Sequence, residues 1–326
     1  TMTYLENAKQ YTGSDLENIF FRPILTGQSA EELGVRVLYN MPQAAHIQLW
    51  DGQRNILQKF TEAGWTGSSA AKRFEKTIDL QRVKAELGFS AADYFSMVYE
   101  KVSSIVGVNM EDLSGTILEQ AETELFRKAL AENIRATMWA GDTSAGSGYN
   151  TFDGFLKLIK ELVTEQSIYN STYQAADLEN NTFAVELFDE LWTQADPRAQ
   201  YLKAEGQLAY FVSSDIYYLY EKYLDEKGVD SAYLDSVNGR KILAYHGIPV
   251  VDVRMGSYLM STSLHQSFCL LTDRRNLVLA VNTADMPGNE VRMWYNPDEM
   301  ENRQRAVFMA GCALLDDALI TYAYKQ

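Results

Sequence analysis

Histidine and cysteine are scarce in this chain, which contains 3 histidines and 2 cysteines among 326 residues. His46, His246 and His265 lie at no metal-ligand spacing to one another or to a cysteine, so solvated or core histidines are expected. Cys269 and Cys312 are far apart in apolar surroundings. They predict buried thiols in a reducing cytoplasm, and alone they form neither a disulfide framework nor a zinc site.

Long apolar runs and a secretory leader are also missing. Charges interrupt every apolar stretch within about ten residues, which is too short for a membrane span. The N-terminus, TMTYLENAKQ, lacks a basic region followed by an apolar one. No membrane association is therefore expected. The first residue is Thr1, which fits either removal of an initiator Met or a processed N-terminus, and the sequence does not separate the two.

Positive charge is in short supply, because 29 Lys and Arg residues face 44 Asp and Glu residues, for a net charge of −15. Such acidity repels a phosphate backbone, so ordinary nucleic-acid binding is disfavoured. It suits a self-associating protein that must stay soluble until it assembles. Apolar residues make up 46% of the chain, which is enough for a core and excludes a wholly disordered protein.

Recognisable catalytic motifs are missing as well. There is no GxSxG, Walker A or dinucleotide fingerprint, and Gly141–Gly148 follows a predicted helix and lacks a GK[ST] ending. Acid pairs such as Asp316–Asp317 and Glu161–Glu165 leave a carboxylate-based hydrolase open, although chance pairs are expected among so many acids. The tyrosines of residues 217–223 favour core and interface packing over stacking on nucleobases. No enzyme activity, metal or cofactor is expected.

The strongest pattern that is present predicts a long helix from about Ser114 to Trp139, ended by Gly141. Acids cluster in its first half and bases follow later, as the helix dipole prefers. Some 25 residues span roughly 38 Å, so the helix can cross a subunit as its spine. Its apolar stripe consists of Ile117, Leu118, Ala121, Leu125, Phe126, Ala129, Leu130, Ile134 and Met138.

Two N-terminal segments look unable to stabilise themselves. Residues 1–44 are weakly periodic and predict an extended arm, with a short helix near Ala30–Val37, that buries little against its own chain. Residues 45–87 predict two long strands around a flexible tip, Thr61–Ser69. The second strand, Arg73–Leu87, slips in phase at Val83, which indicates either a bulge at residues 81–82 or a helix after residue 79. Because an isolated hairpin is barely stable, this one is expected to lie on a neighbour.

The remaining sequence predicts a mixed α+β architecture without strict alternation of helices and strands. Predicted helices cover Ser90–Val106, Phe155–Thr164, Thr182–Asp196 and Ser214–Lys227. Predicted strands cover Leu208–Val212, two strands around a turn in each of Gly239–Val253 and Phe268–Val281, and the strand-like stretches Glu290–Tyr295 and Gln304–Tyr322.

The order of these parts resembles the major capsid proteins of tailed bacteriophages, which share the Hong Kong 97 phage-type shell fold. The resemblance runs from about residue 40 to the end of the chain. It is carried by residues 113–159 (the helix, the GD loop and LSGTILEQ…FDGFLKLI), 207–228 (QLAYFVSSDIYYLYEKYLDEKG), 238–256 (NGRKILAYHGIPVVDVRMG), 268–281 (FCLLTDRRNLVLAV) and 304–324 (QRAVFMAGCALLDDALITYAY).

The resemblance implies a capsid subunit that assembles with itself into hexamers and pentamers of an icosahedral shell. This shell would be a virion capsid, assembled in the bacterial host cytoplasm, enclosing double-stranded DNA without sequence-specific binding. Scaffolding, portal and decoration proteins are further implied partners. The implied parts are an arm (1–44), an extended loop (45–90), a peripheral domain with the spine helix (91–140), an axial domain (141–266) and returning strands (267–326).

The arm and the loop would lap over neighbouring subunits. The expected interface residues are Trp50, Trp65, Lys72, Arg73, Lys76 and Arg82. Some members of the family also join subunits by a lysine–asparagine bond. Lys59, Lys72 and Lys76, with Asn276 or Asn282, do not align onto that pattern residue by residue, so solvated lysines are favoured.

Some relatives carry an N-terminal scaffolding extension that is cleaved off, and the sequence shows none. A separate scaffolding protein, or prior removal of the extension, is implied. Two alternatives to the phage capsid stay open. One is an encapsulin-type nanocompartment, which shares the fold but carries protein cargo, and the other is the soluble hydrolase.

Overall fold

A computed structural model describes residues 9–25, 34–41, 44–50, 73–90, 117–228, 233–235, 241–256, 258, 263–282, 290–299 and 301–326. The α-helices in these ranges are α1 (Gly13–Asp15), α2 (Arg22–Leu25), α3 (Ile117–Ala140), α4 (Phe155–Thr164), α5 (Phe183–Thr193), α6 (Ala199–Ala204) and α7 (Ser214–Lys227). The strands are β1 (Lys9–Tyr11), β2 (Arg36–Tyr39), β3 (Ala44–Trp50), β4 (Arg73–Asp79), β5 (Gln81–Ser90), β6 (Tyr169–Tyr173), β7 (Leu208–Val212), β8 (Tyr233–Asp235), β9 (Lys241–Tyr245), β10 (Ile248–Asp252), β11 (Phe268–Asp273), β12 (Leu277–Asn282), β13 (Glu290–Asn296), β14 (Glu301–Leu314) and β15 (Thr321–Lys325).

A six-stranded sheet is organised around β14, a strand of 14 residues. β5 runs antiparallel to β14 along residues 301–310. β13 pairs with residues 301–307 and β12 with residues 309–314, so both lie on the edge opposite β5. β1 extends the sheet beyond β13, and β2 extends it beyond β12. The six-stranded sheet therefore joins strands from the N-terminal part of the chain with strands after residue 276.

A seven-stranded sheet has the order β6-β15-β11-β7-β10-β9-β8. Its central strand β7 is buried at all five positions, as expected for a strand covered on both faces. Leu208, Tyr210 and Val212 face a core formed with α5 and α7. Ala209 and Phe211 face the other core, which they share with α3, α4 and the six-stranded sheet. This second core joins the two sheets.

Trp139, near the end of α3, lies at the centre of that shared core and is fully buried. Its ring centroid lies 5.2 Å from Phe155 on α4, 5.7 Å from Phe211 on β7 and 6.2 Å from Phe268 on β11. One aromatic residue thus connects the spine helix to the next helix and to the seven-stranded sheet.

The spine helix is confirmed, since α3 covers Ile117–Ala140 and ends before Gly141. Phe126, Leu130, Ile134 and Met138 form its buried stripe at a spacing of four residues. The prediction was wrong for Leu125, which is 36% exposed. Leu125 lies one position, or about 100°, away from Phe126 around the helix, which takes it off the buried face.

The arm prediction was wrong for the described residues between 9 and 41. α1 runs through a π-helical segment, Leu16–Phe21, into α2, and Leu16, Phe20 and Phe21 are fully buried in the shared core. The short helix near residues 30–37 is also wrong where it can be compared, because residues 36 and 37 belong to β2. A parallel partner, β12, fixes them as a strand.

The two explanations offered for the phase slip at Val83 were both wrong. β4 ends at Asp79, and after Leu80 the chain continues as β5 with a different partner. β4 pairs with β3, whereas β5 pairs with β14. With the change of partner, the buried side chains change from even-numbered residues, ending at Leu80, to odd-numbered residues, beginning at Val83. Neither a bulge nor a helix is required.

The other predicted elements fall where the sequence placed them. α4, α7 and β7 have the predicted bounds, α5 lies within its predicted range, and each predicted pair of strands is present as β9–β10 and β11–β12. The tip at residues 61–69 lies outside the described residues. The helix predicted from Ser90 begins on the last residue of β5 and otherwise lies outside them too. None of the helices described is long and apolar enough to cross a membrane.

Candidate assembly surface

A two-stranded ribbon, β3–β4, is the clearest candidate for contact with another molecule. Its two seven-residue strands are antiparallel, with Ala44 opposite Asp79 at the base and Trp50 opposite Arg73 at the far end. At about 3.4 Å per residue, the paired part is roughly 23 Å long. No third strand of the described chain joins this sheet. A ribbon of this kind is marginal in water unless something supports it.

The base of the ribbon is anchored in its own subunit. Ile78 in β4 and Leu80 directly after β4 are 1% and 3% exposed. They belong to a separate small cluster on the six-stranded sheet. Its other members are Val278, Ala280, Met309, Ala313 and Leu315, with Leu38 and Met41 packed against it. The cluster fixes where the ribbon leaves the subunit.

Gly311 allows β14 to approach the base of the ribbon closely. A Cβ atom at this position would lie 2.5 Å from the backbone oxygen of Asp79 and 3.2 Å from Leu80 Cδ2. The first contact is with backbone, so it cannot be relieved by a side-chain rotation. Any other residue must push the ribbon away from β14.

Gly311→Ala is therefore expected to destabilise the subunit by about 1–3 kcal/mol, as overpacking does. For a chain of this size, that corresponds to a fall in Tm of roughly 2–10 °C, measurable by differential scanning calorimetry. Gly146→Ala is the matched control, because a Cβ there meets nothing within 4 Å. Equal melting temperatures for the two variants would contradict the close approach.

Four of the six predicted interface residues lie in the described part of the ribbon or directly after it. Trp50 and Arg73 are directly opposite each other in the ribbon backbone. Lys76 Nζ lies 3.6 Å from Asp317 Oδ1, which ties the ribbon to the residues after β14. Arg82 is exposed, but it belongs to β5 and not to the ribbon. Trp65 and Lys72, like Lys59, lie outside the described residues.

A groove of about 500 Å³ lies between the ribbon base, β14 and α4. Leu158 and Cys312 line it, and so do Lys76 and Asp317, which form an ion pair with each other. Five carboxylates line it, which are Asp79, Asp153, Glu161, Glu165 and Asp317. The groove is strongly acidic, so it offers no surface to a nucleic-acid backbone.

The two asparagines considered for cross-linking, Asn276 and Asn282, are 3% and 2% exposed. Asn276 Nδ2 donates to Thr272 Oγ1 at 3.0 Å and to the carbonyl of Asp316 at 2.8 Å. Its Oδ1 accepts from the backbone N–H groups of Leu315 and Asp316. Asn276 thus positions the chain after β14 and is not presented to a lysine of a neighbour.

Of the two carboxylate pairs considered for hydrolysis, Asp316 and Asp317 are engaged in ion pairs. Asp316 Oδ2 accepts a hydrogen bond of 2.8 Å from Arg198, and Asp317 pairs with Lys76. Glu161 and Glu165 lie on the groove side of α4 or at its end. In the part of the chain that the structure describes, no three His, Cys, Asp or Glu residues are grouped so as to hold a metal ion.

The loop after the spine helix forms a polar junction that the sequence did not reveal. The side chain of Asp142 is only 4% exposed. Lys157 Nζ lies 3.1 Å from Asp142 Oδ1 and 2.8 Å from Asp153 Oδ1. The N–H of Ser144 donates to Asp142 at 2.9 Å. Gly154, whose Cβ would lie 2.6 Å from the carbonyl of Thr137, lets the two helix ends cross. The spacing of Asp153 and Lys157, four residues apart, was the available signal.

Lys157→Met is expected to destabilise the subunit by about 1–3 kcal/mol at pH 7, because it leaves the carboxylate of Asp142 buried without an ammonium group. Burial by itself raises the pKa of Asp142, but hydrogen bonds from Ser144 and the Lys157 ammonium outweigh burial and lower it to about 2. This contribution is therefore present above about pH 4 and is lost as the pH falls towards 2.

Urea unfolding at pH 7, 4 and 2.5 measures the effect, with Lys128→Met, an exposed lysine on α3, as the control. The difference between wild type and Lys157→Met is expected to shrink at the lowest pH. A constant difference at all three pH values, or an equal loss in both lysine variants, would count against a paired buried carboxylate.

The chain matches no protein-family model and no curated protein. Its fold, however, matches solved capsids over nearly the whole length. A chain of the satellite phage P4 procapsid, solved with the size determination (Sid) protein, has a TM-score of 0.54 and 9% identity, and the match covers 94% of this chain and 97% of that one. The chain has the phage capsid fold. The α+β shell architecture expected from the order of its parts is thereby confirmed.

Two further capsid structures support this assignment. A chain of the empty GTA particle capsid has a TM-score of 0.53 with 14% identity, and one of the native GTA particle has 0.51 with 13% identity. Both matches cover 92% of this chain and 90% of the other. The capsid fold therefore accounts for both sheets and the spine helix together, and not for one of them alone.

Proposed function

We propose that this chain is the major capsid protein of a tailed bacteriophage, a structural subunit that assembles with itself into an icosahedral shell. The observation that carries the proposal is the capsid fold combined with the β3–β4 ribbon. The ribbon extends about 23 Å from an anchored base and has no further strand of the described chain to support it. A neighbouring subunit supplies the missing surface.

The anchoring of the ribbon supports this role. Ile78 and Leu80 fix its base against the six-stranded sheet, and Lys76 adds an ion pair to Asp317. A ribbon fixed at one end presents its far end, with Trp50 and Arg73 paired there, in a defined direction. Many such contacts, each weak, add up through multivalency to a stable shell. Trp50, Trp65, Lys72, Arg73, Lys76 and Arg82 remain the proposed interface residues.

The division into parts is proposed in the same terms, with one refinement. The six-stranded sheet and α3 form the peripheral domain, and the seven-stranded sheet with α5 and α7 forms the axial domain around the symmetry axes of hexamers and pentamers. The extended loop consists of residues 44–79 and not of 45–90, because β5 belongs to the sheet of its own subunit. The shell encloses double-stranded DNA in the virion, with scaffolding, portal and decoration proteins as partners during assembly in the bacterial host cytoplasm.

A structural role is proposed in preference to catalysis. The acid pairs considered for a hydrolase are engaged with Arg198 and Lys76 or line an open groove. An encapsulin-type nanocompartment has the same subunit fold, so the contents of the particle must decide between it and a phage shell.

Size-exclusion chromatography followed by negative-stain electron microscopy of the full-length protein tests the proposal. A megadalton species that appears as closed cages is expected, and a stable monomer under all assembly conditions would refute a shell subunit. Nuclease-protected DNA in particles isolated from the native host is expected for the phage capsid. Uniform cages filled with one co-purifying enzyme would establish the nanocompartment instead.

A further inference from the structure

β5 has one edge that the described chain leaves open. It pairs with β14 over all ten of its residues, and no described strand pairs with its other edge. Lys84 and Glu86 are exposed on one face of the strand, and Val83 is buried on the other. An open edge of this length presents a row of backbone donors and acceptors to any extended chain of matching register.

A groove of about 300 Å³ follows this edge, between β5 and α3. Val83 and Leu87 line it from the strand, and Phe126, Leu130 and Ile134 line it from the helix. Leu87 is 37% exposed, although it lies on the same face as the buried Val83. The edge therefore combines backbone groups that no described strand pairs with and a largely apolar groove.

The sequence of β5 is complementary to itself in the antiparallel direction. When Ala85 of one copy lies opposite Ala85 of a second copy, Lys84 lies opposite Glu86 and Val83 lies opposite Leu87. Two-fold symmetry produces each of these pairs twice. Moving each strand by one residue instead places Lys84 opposite Lys84, or Glu86 opposite Glu86, and like charges opposite each other are destabilising. One register is favoured over its neighbours.

We propose that the open edge of β5 pairs with β5 of a second copy of this chain about a two-fold axis at Ala85. Opposed residues of an antiparallel pair share a face, so Leu87 of each copy lies beside Val83 of the other and covers its groove. Lys84 Nζ already lies 3.0 Å from Glu86 Oε2 within each subunit. In the dimer each of these groups also faces its opposite charge on the second copy, so four charges of alternating sign lie together on the opposite face. This contact is isologous and closes on itself. The proposed β5 contact rests on the proposed shell function, because an icosahedral shell contains two-fold axes that such a contact can occupy.

Disulfide trapping tests the register in the full-length protein. Ala85→Cys brings two thiols directly opposite each other, at a Cα separation of about 4.5–5.5 Å, which is within disulfide range. Gln81→Cys is the control, because residue 81 of the two copies is eight positions apart, or about 27 Å. Oxidised wild type gives the background from Cys269 and Cys312. At least ten times more dimer from Ala85→Cys than from Gln81→Cys is expected, and equal yields would overturn the pairing.

Charge reversal tests the two ion pairs in the Ala85→Cys background. Lys84→Glu places Glu opposite Glu86 twice, so dimer formation is expected to weaken roughly two- to thirty-fold. The double variant K84E/E86K restores opposite charges across the axis and is expected to recover dimer formation to within about twofold. Failure of the double variant to recover, with a melting temperature equal to that of the single variant, would remove the ion pairs from the proposal.

Microscopy of the same samples separates this contact from the shell itself. Closed cages that give no Ala85–Ala85 disulfide overturn the β5 contact and leave the shell function intact. Disulfide dimers that never form cages under any condition support the β5 contact and overturn the shell function. Cages whose Ala85→Cys subunits are linked in pairs, as seen on non-reducing gels, support both.

Discussion

Ile134→Asp in the spine helix is expected to prevent stable folding of the subunit. Ile134 is 4% exposed and belongs to the core that joins the two sheets, where it lies between Leu130 and Met138 on the buried stripe. The substitution removes apolar contacts worth about 2–5 kcal/mol and adds a carboxylate that has no partner there. Because whole domains are stable by only about 5–15 kcal/mol, a loss of this size leaves little folded protein.

Leu125→Asp is the matched control, nine residues earlier on the same helix. Leu125 is 36% exposed, so a carboxylate there remains hydrated and a change within about 1 kcal/mol is expected. Soluble yield and Tm measured side by side distinguish the two variants. Similar losses at both positions would mean that the buried face of α3 is assigned to the wrong residues.

The spine helix shows how far periodicity alone can be followed. Its length and its end at Gly141 could be predicted, because capping and charge order are local properties of the sequence. Leu125 could not be separated from Phe126 in the same way, since a stripe of nine apolar residues is wider than the face that the sheet covers. Only the position of the six-stranded sheet decides which edge of the stripe remains exposed.

The predictions for the N-terminal segments were wrong for a different reason. Leu16, Phe20 and Phe21 are buried in contacts with residues far along the chain, such as the ring contact of Phe21 with Phe308 at 4.8 Å. Local pattern gave no sign of such a partner. β5 was assigned to the loop for the same reason, because the strand that it pairs with lies more than 200 positions later. The periodicity of a single sequence carries no information about which distant segments pair with each other.

The β3–β4 ribbon could be predicted from the sequence, but the residues that fix its base in the subunit could not. Alternation in residues 45–80 predicted the ribbon, and its lack of a core of its own predicted dependence on a neighbour. Gly311, Asp317 and the cluster around Ile78 were missed, since their roles arise from close approach between distant strands. The glycine in MAGCALL was the one visible sign, because a glycine within a strand often marks a close backbone approach.

Replacing residues 46–77 with Asn-Gly is expected to leave a folded subunit that forms no cages. Ala45 and Ile78 are directly opposite each other in the ribbon, so a two-residue turn can join them without disturbing the base. Ile78, Leu80 and the whole of β5 are retained, and with them the small cluster and the six-stranded sheet. The replacement also removes the ion pair of Lys76 with Asp317, which is partly exposed and therefore contributes little to the stability of the subunit.

Deleting residues 45–87 instead is expected to unfold the subunit. That deletion also removes Ile78, Leu80 and Val83, which are 1%, 3% and 8% exposed, together with most of the β5–β14 pairing. Circular dichroism and Tm report folding, and electron microscopy reports assembly. Cages from the 46–77 replacement would refute the role of the ribbon in assembly. A stable fold for the longer deletion would instead show that β5 is dispensable. We do not expect this result, because loss of β5 would leave an exposed β14 edge and an open core.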